Sequence, residues 1–308
     1  MKSTRKAYGE ALAQIGRQDT DVIVLDADLA HATQTLLFKN EFPKRHINVG
    51  IAEQDLVGTA SGLALSGKKV YLSSFAMFLA GRAYEQIRNT AAYSKAPIKL
   101  CATHSGLSVG EDGATHQMLE DISLMRTIPN MVVLSPADEE ATKKIISHIK
   151  DYEDGPVYVR LGRCDVPNIY EENQEFEIGG SKVFGSGTKA TIFATGYTLH
   201  IALEAMSILK EKGVDVRVVD IYSIKPIDKK TVIKCAKETD KIITIEDHSV
   251  IGGLGAAVSD VLVESYPKKV TRIGVQDLFG KSGSVKELMN LYGITKEHIV
   301  EEILKKEE

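Results

Sequence analysis

Short runs of apolar residues recur along the first half of the chain with the length of buried strands. They are "DVIVLDAD", "KKVYLSSF", "PIKLCATH", "MVVLSPAD" and "PVYVRLG". Helix-length stretches such as "LAGRAYEQIRNTAAYSK" and "DEEATKKIISHIKDY" lie between them. Continuous apolar strands that alternate with helices indicate a mostly parallel sheet flanked by helices on both faces.

This alternation stops at "CDVPNIYEENQEFEIGGSKVFGSGTK", which is polar, acidic and without clear periodicity. We interpret that stretch as a linker with one short hairpin. The alternation starts again at "KATIFATGY" and continues to "KVTRIGV". The sequence therefore predicts an α/β protein with two domains, at residues 1–170 and 186–308, joined by a linker at 171–185.

Composition excludes several classes of protein. The 308 residues carry 38 basic and 42 acidic side chains, a net charge of −4, which argues against nucleic-acid binding. No apolar run approaches the roughly 18 residues of a membrane helix, and the charged, amphipathic N-terminus is not a secretory signal. Three scattered cysteines without CxxC spacing favour reduced thiols in a cytoplasmic protein.

The stretch "HINVGIAEQDL" places Glu53 at the junction between a strand and a helix. An acid in the first helical turn commonly interacts with the helix dipole at the surface, and spacing alone favours that interpretation. The alternative is a buried acid that donates or accepts a proton.

A long polar segment follows the strand "PIKLCA" and concentrates five polar side chains among glycines: His104, Glu111, Asp112, His116 and Gln117. Loops at the carboxyl ends of parallel strands are where open α/β sheets bind ligands. The segment could be a surface loop, a metal site, or a polar pocket for a hydroxylated substrate. Because its spacing matches no familiar metal motif, we expect no metal ion to be held by this chain.

Two further features have both a structural and a functional interpretation. Phe75 and Phe78 are either core residues or a platform on which a flat ring stacks. The stretch "GGLG" opens a helix that could bind an anion, but Val258 stands where a dinucleotide fingerprint needs glycine, which favours a tight turn or an interface loop. We place His248, just before it, at a subunit interface.

Taken together, six stretches resemble the C-terminal half of a transketolase. They are "NVGIAEQDLVGTASGLAL", "SFAMF", "THSGLSVGEDGATHQMLEDISLMRTIPNMVVLSPAD", "TIFATGY", "IEDHSVIGGLGAAV" and "VQDLFGKSG". The resemblance implies a pyrimidine-binding thiamine diphosphate domain followed by a transketolase C-terminal domain. The GDG…N motif of full-length transketolases does not occur here. We therefore expect a split enzyme: a separate N-terminal subunit would hold the diphosphate and Mg²⁺ (or Ca²⁺), and two copies of each subunit would form a heterotetramer.

By the same resemblance, Glu53 would hydrogen-bond the aminopyrimidine ring of thiamine diphosphate. Phe78 would stack on that ring with Phe75 beside it, and Asp28 would lie near the thiazolium. The family's third aromatic falls on Gly81, so this part of the pocket must differ.

The resemblance also implies contacts with a sugar phosphate, and it gives catalytic roles to Glu53, His104 and His116. The expected substrate-binding residues are Arg5, Asp28, His104, Asp112, His116 and Arg163. The two arginines would grip the phosphate, which guanidinium groups suit geometrically. The family's phosphate-binding serine falls within "LAHATQT", where it has no evident equivalent.

The implied activity is the transfer of a two-carbon ketol unit from a ketose phosphate to an aldose phosphate, within pentose phosphate metabolism. Three alternatives stay open: a 1-deoxyxylulose-5-phosphate synthase, a 2-oxoacid dehydrogenase β subunit, and a non-catalytic α/β partner protein. The first is normally a single chain. The second should lack the two-histidine loop and the arginine pair, and the site residues argue against the third.

Overall fold

The fold comprises three sheets and the helices that connect them, and a computed structural model describes residues 1–305. The last three residues of the predicted second domain, 306–308, lie outside the described part. The strands are β1 (Lys2–Ser3), β2 (Val22–Asp26), β3 (His46–Asn48), β4 (Lys69–Phe75), β5 (Lys99–Thr103), β6 (Val132–Leu134), β7 (Val157–Arg160), β8 (Asp165–Val166), β9 (Lys182–Phe184), β10 (Ala190–Ala194), β11 (Arg217–Asp220), β12 (Ser223–Lys225), β13 (Lys241–Ser249) and β14 (Val270–Val275).

Most of the connections between the strands contain helices. The α-helices are α1 (Thr4–Gln18), α2 (Ala30–Thr33), α3 (Leu36–Glu41), α4 (Glu53–Leu65), α5 (Tyr84–Gln86), α6 (Asp121–Thr127), α7 (Glu139–His148), α8 (Leu199–Glu211), α9 (Lys229–Glu238), α10 (Leu254–Ser265), α11 (Val285–Leu291) and α12 (Lys296–Leu304). Two π-helical segments (Met77–Arg82, Ile87–Tyr93) and four 3₁₀ turns (Pro43–Arg45, Leu107–Asp112, Ile149–Asp151, Gly196–Thr198) complete the set among residues 1–305.

The first sheet has seven strands in the order β12-β6-β7-β5-β4-β2-β3. Every neighbouring pair in it is parallel except β12 and β6. The central strands β5 and β7 are buried at every position, as continuous apolar runs require when helices cover both faces. The second sheet, in the order β14-β13-β10-β11-β9, is parallel except at β9. The predicted fold class is confirmed.

The hairpin predicted between the domains is wrong. The two short strands of that stretch pair elsewhere: β8 lies antiparallel to β1 at the N-terminus, and β9 lies antiparallel to β11 at the edge of the second sheet. Strands of two or three residues carry too little periodicity for their partners to be read from sequence.

The two sheets are connected by more than the linker. The strand β12 comes after β11 in the chain, yet it adds to the edge of the first sheet, with Ser223 opposite Leu134 and Lys225 opposite Val133. The second half of the chain therefore supplies an edge strand to the sheet built by the first half.

Two helical segments near the carboxyl edge of the first sheet differ from expectation. The single helix predicted at residues 79–95 is instead two π-helical segments on either side of α5. The long loop predicted after β5 contains α6. π-Helical turns are rare and occur frequently at functional sites.

No helix within residues 1–305 is long and apolar enough to cross a membrane, and all three cysteines are free thiols.

Candidate active site

The predicted site residues follow neighbouring strands at one edge of the first sheet. Asp28 follows β2, Phe75 ends β4, His104 follows β5 and Arg163 follows β7. The order of these strands is β7-β5-β4-β2, and they are parallel, so their carboxyl ends lie side by side. This edge is the usual ligand-binding position of an open α/β sheet.

Glu53 is the first residue of α4, and its side chain points inward. It is only 1% exposed. Ser74 Oγ donates to its Oε1 at 3.3 Å, and Arg82 Nη1 donates to its Oε2 at 2.6 Å. The interpretation of Glu53 as a surface acid at a helix start is therefore wrong, since the carboxylate is buried and paired.

Four rings form one cluster beside this carboxylate. The rings of Phe75 and Phe78 are nearly parallel, with centroids 5.9 Å apart and planes at 18°. His104 stacks on Phe75 at 3.9 Å, and His116 meets Phe78 edge-on at 5.4 Å. Both phenylalanines are partly exposed, so they are not ordinary core residues.

Arg82 was not among the residues that the sequence singled out. Its guanidinium carbon lies 4.9 Å from the centroid of the Phe78 ring while Nη1 pairs with Glu53. The spacing of four residues between Phe78 and Arg82 is the one available signal, because residues four apart lie on the same side of a helix. A Cβ added at Gly81, where the family has an aromatic, would contact only Met77 Sδ, at 3.9 Å, so the position is open.

His104 is held in a strained and dehydrated position. It is 3% exposed and has a left-handed backbone, with φ +56°. Arg5 Nη1 lies 3.4 Å from Nε2, and Thr103 Oγ1 lies 2.9 Å from Nδ1. A guanidinium can only donate, so Nε2 accepts and the assigned tautomer has its proton on Nδ1. Burial, followed by the charges of Arg5 and Arg163, lowers the pKa of His104 to about 3. The imidazole is therefore neutral.

The two arginines expected to grip a phosphate lie near each other. Arg5 Nη1 donates to the carbonyl oxygen of Ala32 at 2.8 Å, so the "LAHATQT" segment contacts Arg5 through its backbone. Arg163 Nη1 donates to Val109 O at 2.8 Å and to Asp112 Oδ1 at 3.3 Å. The charge of Arg163 contributes, after burial, to lowering the pKa of Arg5. Two guanidinium groups that repel each other favour an anion between them.

Asp28 lies at the same edge but is less closely connected. It has a left-handed backbone, with φ +62°, and it exchanges two hydrogen bonds with Asn48 at 3.1 and 2.9 Å. In the part of the chain that the structure describes, no hydrogen bond or ion pair joins it to another predicted site residue. His116 is also bonded only locally there: its Nδ1 lies 3.0 Å from Thr115 Oγ1.

The "IEDHSVIGGLG" region does not bind an external anion at the start of α10. The carboxylate of Glu246 already accepts from the backbone N–H groups of Leu254 (2.6 Å) and Gly255 (2.8 Å). His248 is fully buried within the chain, with Asp121 and Glu246 on either side of its ring, at 3.9 and 3.6 Å. The placement of His248 at a subunit interface is therefore wrong.

Chemically, the site suits a flat heteroaromatic ring next to a buried acid, with a polar, positively charged region beyond it. The stacked phenylalanines offer the aromatic face, Glu53 offers the hydrogen-bond partner, and the paired arginines offer phosphate contacts. This donor set fits the pyrimidine ring of thiamine diphosphate. Within residues 1–305, no group of three or more His, Cys, Asp or Glu side chains has an arrangement that could hold a metal ion.

Comparisons with known proteins match both halves of the chain. The family model described as the pyrimidine binding domain of transketolase matches residues 1–168, and the transketolase C-terminal domain matches residues 179–299. A putative transketolase C-terminal section from Methanocaldococcus jannaschii is 50% identical over 306 residues, covering 98% of this chain and 96% of that protein. One of the subunits of apulose-4-phosphate transketolase from Phocaeicola vulgatus is 40% identical over 300 residues, covering 97% of this chain and 96% of that protein.

A solved structure described as a split gene transketolase, inactive beta4 tetramer, superimposes with a TM-score of 0.91 at 44% identity, covering 98% of this chain and 97% of that one. The fold and the two matching family models thus define a two-domain α/β protein whose first domain is of the pyrimidine-binding type. The chain belongs to the transketolase family, whose members depend on thiamine diphosphate.

Proposed function

We propose that this chain is the C-terminal subunit of a split transketolase, which transfers a two-carbon ketol unit from a ketose phosphate to an aldose phosphate together with a separate N-terminal subunit. The observation that carries the proposal is the buried Glu53 carboxylate beside the Phe75–Phe78 platform, with His104 stacked on the same platform. The names of the similar proteins describe a C-terminal section, one subunit of an enzyme and a split-gene enzyme, and they support a two-subunit arrangement.

The residues of this chain would bind and orient the reactants. Glu53 would hydrogen-bond the pyrimidine ring, and Phe75 and Phe78 would lie against it. When bound, thiamine diphosphate supplies the carbon nucleophile for ketol transfer. The partner subunit would hold its diphosphate through Mg²⁺ or Ca²⁺, and a heterotetramer would carry two copies of each chain.

The remaining site residues would bind the sugar phosphate. Neutral His104, together with His116, Asp112 and Asp28, would contact hydroxyl and carbonyl oxygens. The pair Arg5 and Arg163 would hold the phosphate. Pentose phosphates such as xylulose 5-phosphate and ribose 5-phosphate are the proposed substrates, and the cytoplasm is the proposed compartment. The domain limits of 1–170 and 186–308 belong to the same proposal.

The test is to co-express the chain with an N-terminal subunit that carries the GDG…N motif, and to assay xylulose 5-phosphate plus ribose 5-phosphate. Ketol transfer should require both chains, and Glu53→Gln should abolish it while circular dichroism shows an intact fold. Pyruvate as donor distinguishes a 1-deoxyxylulose-5-phosphate synthase. Near-normal turnover by Glu53→Gln, or tight calorimetric binding of thiamine diphosphate by this chain alone, would contradict the proposal.

A further inference from the structure

The substrate loop, defined here as residues 104–117, is held by the second half of the chain. We propose that Asp247, near the carboxyl end of β13, is a positioning residue that fixes this loop for sugar-phosphate binding. The inference rests on the proposed function, because the loop carries three of the proposed sugar contacts, His104, Asp112 and His116. It assigns a role in the active site to a side chain of the second domain.

Asp247 is connected directly to the backbone of the loop. Its side chain is buried, with the residue 1% exposed. Oδ1 accepts from the backbone N–H of Leu107 at 2.7 Å, and Oδ2 accepts from that of Ser108 at 3.3 Å. A carboxylate that accepts from two successive backbone N–H groups fixes the orientation of both peptides, and hydrogen bonds to a charged acceptor are stronger than neutral ones.

Gly106 shows how closely the loop approaches this carboxylate. Its backbone has φ +76°, and an added Cβ would clash with Asp247 Oδ2 and lie 2.6 Å from Asp247 O. Only glycine combines that backbone conformation with such a close approach. The path of the loop is therefore shaped around Asp247.

Asp247 is itself held rigidly by the first domain. Arg160 Nη2 donates to the carbonyl oxygen of Asp247 at 2.7 Å, while Arg160 Nε donates to Asp121 Oδ2 at 2.9 Å. Both charged side chains of this pair are buried. A buried guanidinium that is bonded to both Asp121 and the Asp247 carbonyl oxygen leaves the backbone of Asp247 little freedom, so its carboxylate is a fixed support.

The far end of the loop has a second attachment to the same half of the chain. Gln117 Nε2 donates to Gly110 O at 3.0 Å and to Lys281 O at 2.9 Å. Between the two attachments, Val109 O accepts from Arg163 Nη1 at 2.8 Å. Val109 directly follows Ser108, whose backbone N–H donates to Asp247. By fixing Ser108, Asp247 therefore also helps to position Val109 O, which accepts from the proposed phosphate-binding Arg163.

The experiment compares Asp247→Asn and Asp247→Ala with Asp260→Asn. The asparagine keeps one acceptor of nearly the same shape, and the alanine removes both. Asp260→Asn is the matched control, because Asp260 pairs with Arg126 across the same two domains at 2.9 Å without touching the loop. Amide hydrogen exchange is measured on the chain alone, and steady-state kinetics are measured on the complex with the N-terminal subunit.

We expect exchange at Leu107 and Ser108 to accelerate by about tenfold or more in Asp247→Ala and less in Asp247→Asn, as loss of hydrogen bonds to a charged acceptor requires. In the complex, KM for the sugar phosphates should rise by a similar factor with a smaller change in kcat, and Asp260→Asn should match the wild type in both measurements. If Asp247→Ala does not fold, Asp247→Asn carries the test.

Unchanged exchange at these two amides, or faster exchange with unchanged KM, would overturn the inference. Equal effects of Asp247→Asn and Asp260→Asn would also overturn it, because they would reduce Asp247 to a contact between domains. If the wild-type complex shows no ketol transfer, the proposed function fails, and the exchange measurement still decides whether Asp247 holds the loop.

Discussion

Arg82 Nη1 lies 2.6 Å from Oε2 of Glu53, and the same guanidinium lies over the ring of Phe78. The Arg82 side chain thus contacts both Glu53 and Phe78, the two residues that are proposed to bind the pyrimidine ring. Glu53 is 1% exposed, whereas the Arg82 side chain is 49% exposed. The acid depends on this partner because its charge is buried, whereas about half of the arginine side chain remains in contact with solvent.

Arg82→Ala should lower the free energy of unfolding by about 1–3 kcal/mol, because it leaves a buried carboxylate with only one weak hydrogen bond. In a Glu53→Gln background the same substitution should cost much less, since no buried charge remains. Chemical denaturation of the wild type, Arg82→Ala, Glu53→Gln and the double variant measures the coupling free energy between the two side chains. Arg88→Ala, which removes an exposed arginine bonded to Asn89, serves as control and should stay within about 0.5 kcal/mol of the wild type. Equal costs of Arg82→Ala in both backgrounds would rule out the coupling.

The protonation state of His104 can be followed directly. Burial and neighbouring positive charges lower its pKa to about 3, so its imidazole resonance should not titrate between pH 5 and 8. Arg5→Ala should raise this pKa toward the ordinary value of 6.5, because it removes the positive charge that lies nearest Nε2. NMR titration of the imidazole Cε1–H signals measures both, and Lys6→Ala, which removes an exposed neighbouring charge, should change nothing. A wild-type His104 signal that titrates near pH 6.5 would show the imidazole to be hydrated.

Asp220 should make stability depend on pH. Burial raises its pKa to about 7; Tyr170 OH donates to Oδ2 at 2.7 Å, and Oδ1 has no hydrogen-bond partner among the described residues. Because the folded-state pKa lies above the ordinary 3.8, the stabilisation is fully present below that value and is lost as pH rises through about 7.

Asp220→Asn mimics the protonated form at every pH. From pH 5 to 8, its free energy of unfolding relative to wild type should therefore increase by about 2–3 kcal/mol. Denaturant titrations at several pH values measure this change. The matched control is Asp215→Asn, an exposed carboxylate close by on the chain, whose difference from wild type should stay flat. A flat difference for Asp220→Asn would mean that its carboxyl ionises normally in the folded state.

Sequence patterns predicted the features that depend on local periodicity and on the parallel arrangement of the strands. Five of the seven strands of the first sheet, β2, β4, β5, β6 and β7, were visible as apolar runs. His104 and Phe75 meet because parallel neighbouring strands end at the same edge. The burial of Glu53 could not be inferred from its position at a helix start. An acid at that position can either interact with the helix dipole at the surface or lie buried in the interior. The resemblance to the transketolase family favoured the interpretation of Glu53 as a site residue instead of a surface acid. Its role in binding the pyrimidine ring stays a prediction.

Other features lay outside what a pattern can show. Arg82 reaches Glu53 from a π-helical segment, whose hydrogen-bond spacing differs from that of the α-helix assumed in a periodicity argument. Asp247 bonds to Leu107 across 140 positions of sequence, and no local signal encodes such a pairing. The strand β12 has three residues, too few for its antiparallel partner in the other sheet to be predicted.

The path of β12 also limits how this protein can be divided. A fragment that ended within the linker would lose the strand that covers β6 and would expose a row of free N–H and C=O groups. Bare strand edges pair with other chains, so such a fragment is expected to aggregate. The second half of the chain, cut at the same place, would contain β12 without its pairing partner β6. Although the sequence suggests two modules, neither can be exchanged for a homologous module by a cut at the linker alone, and a functional chimera must carry Ser223–Lys225 together with the first sheet.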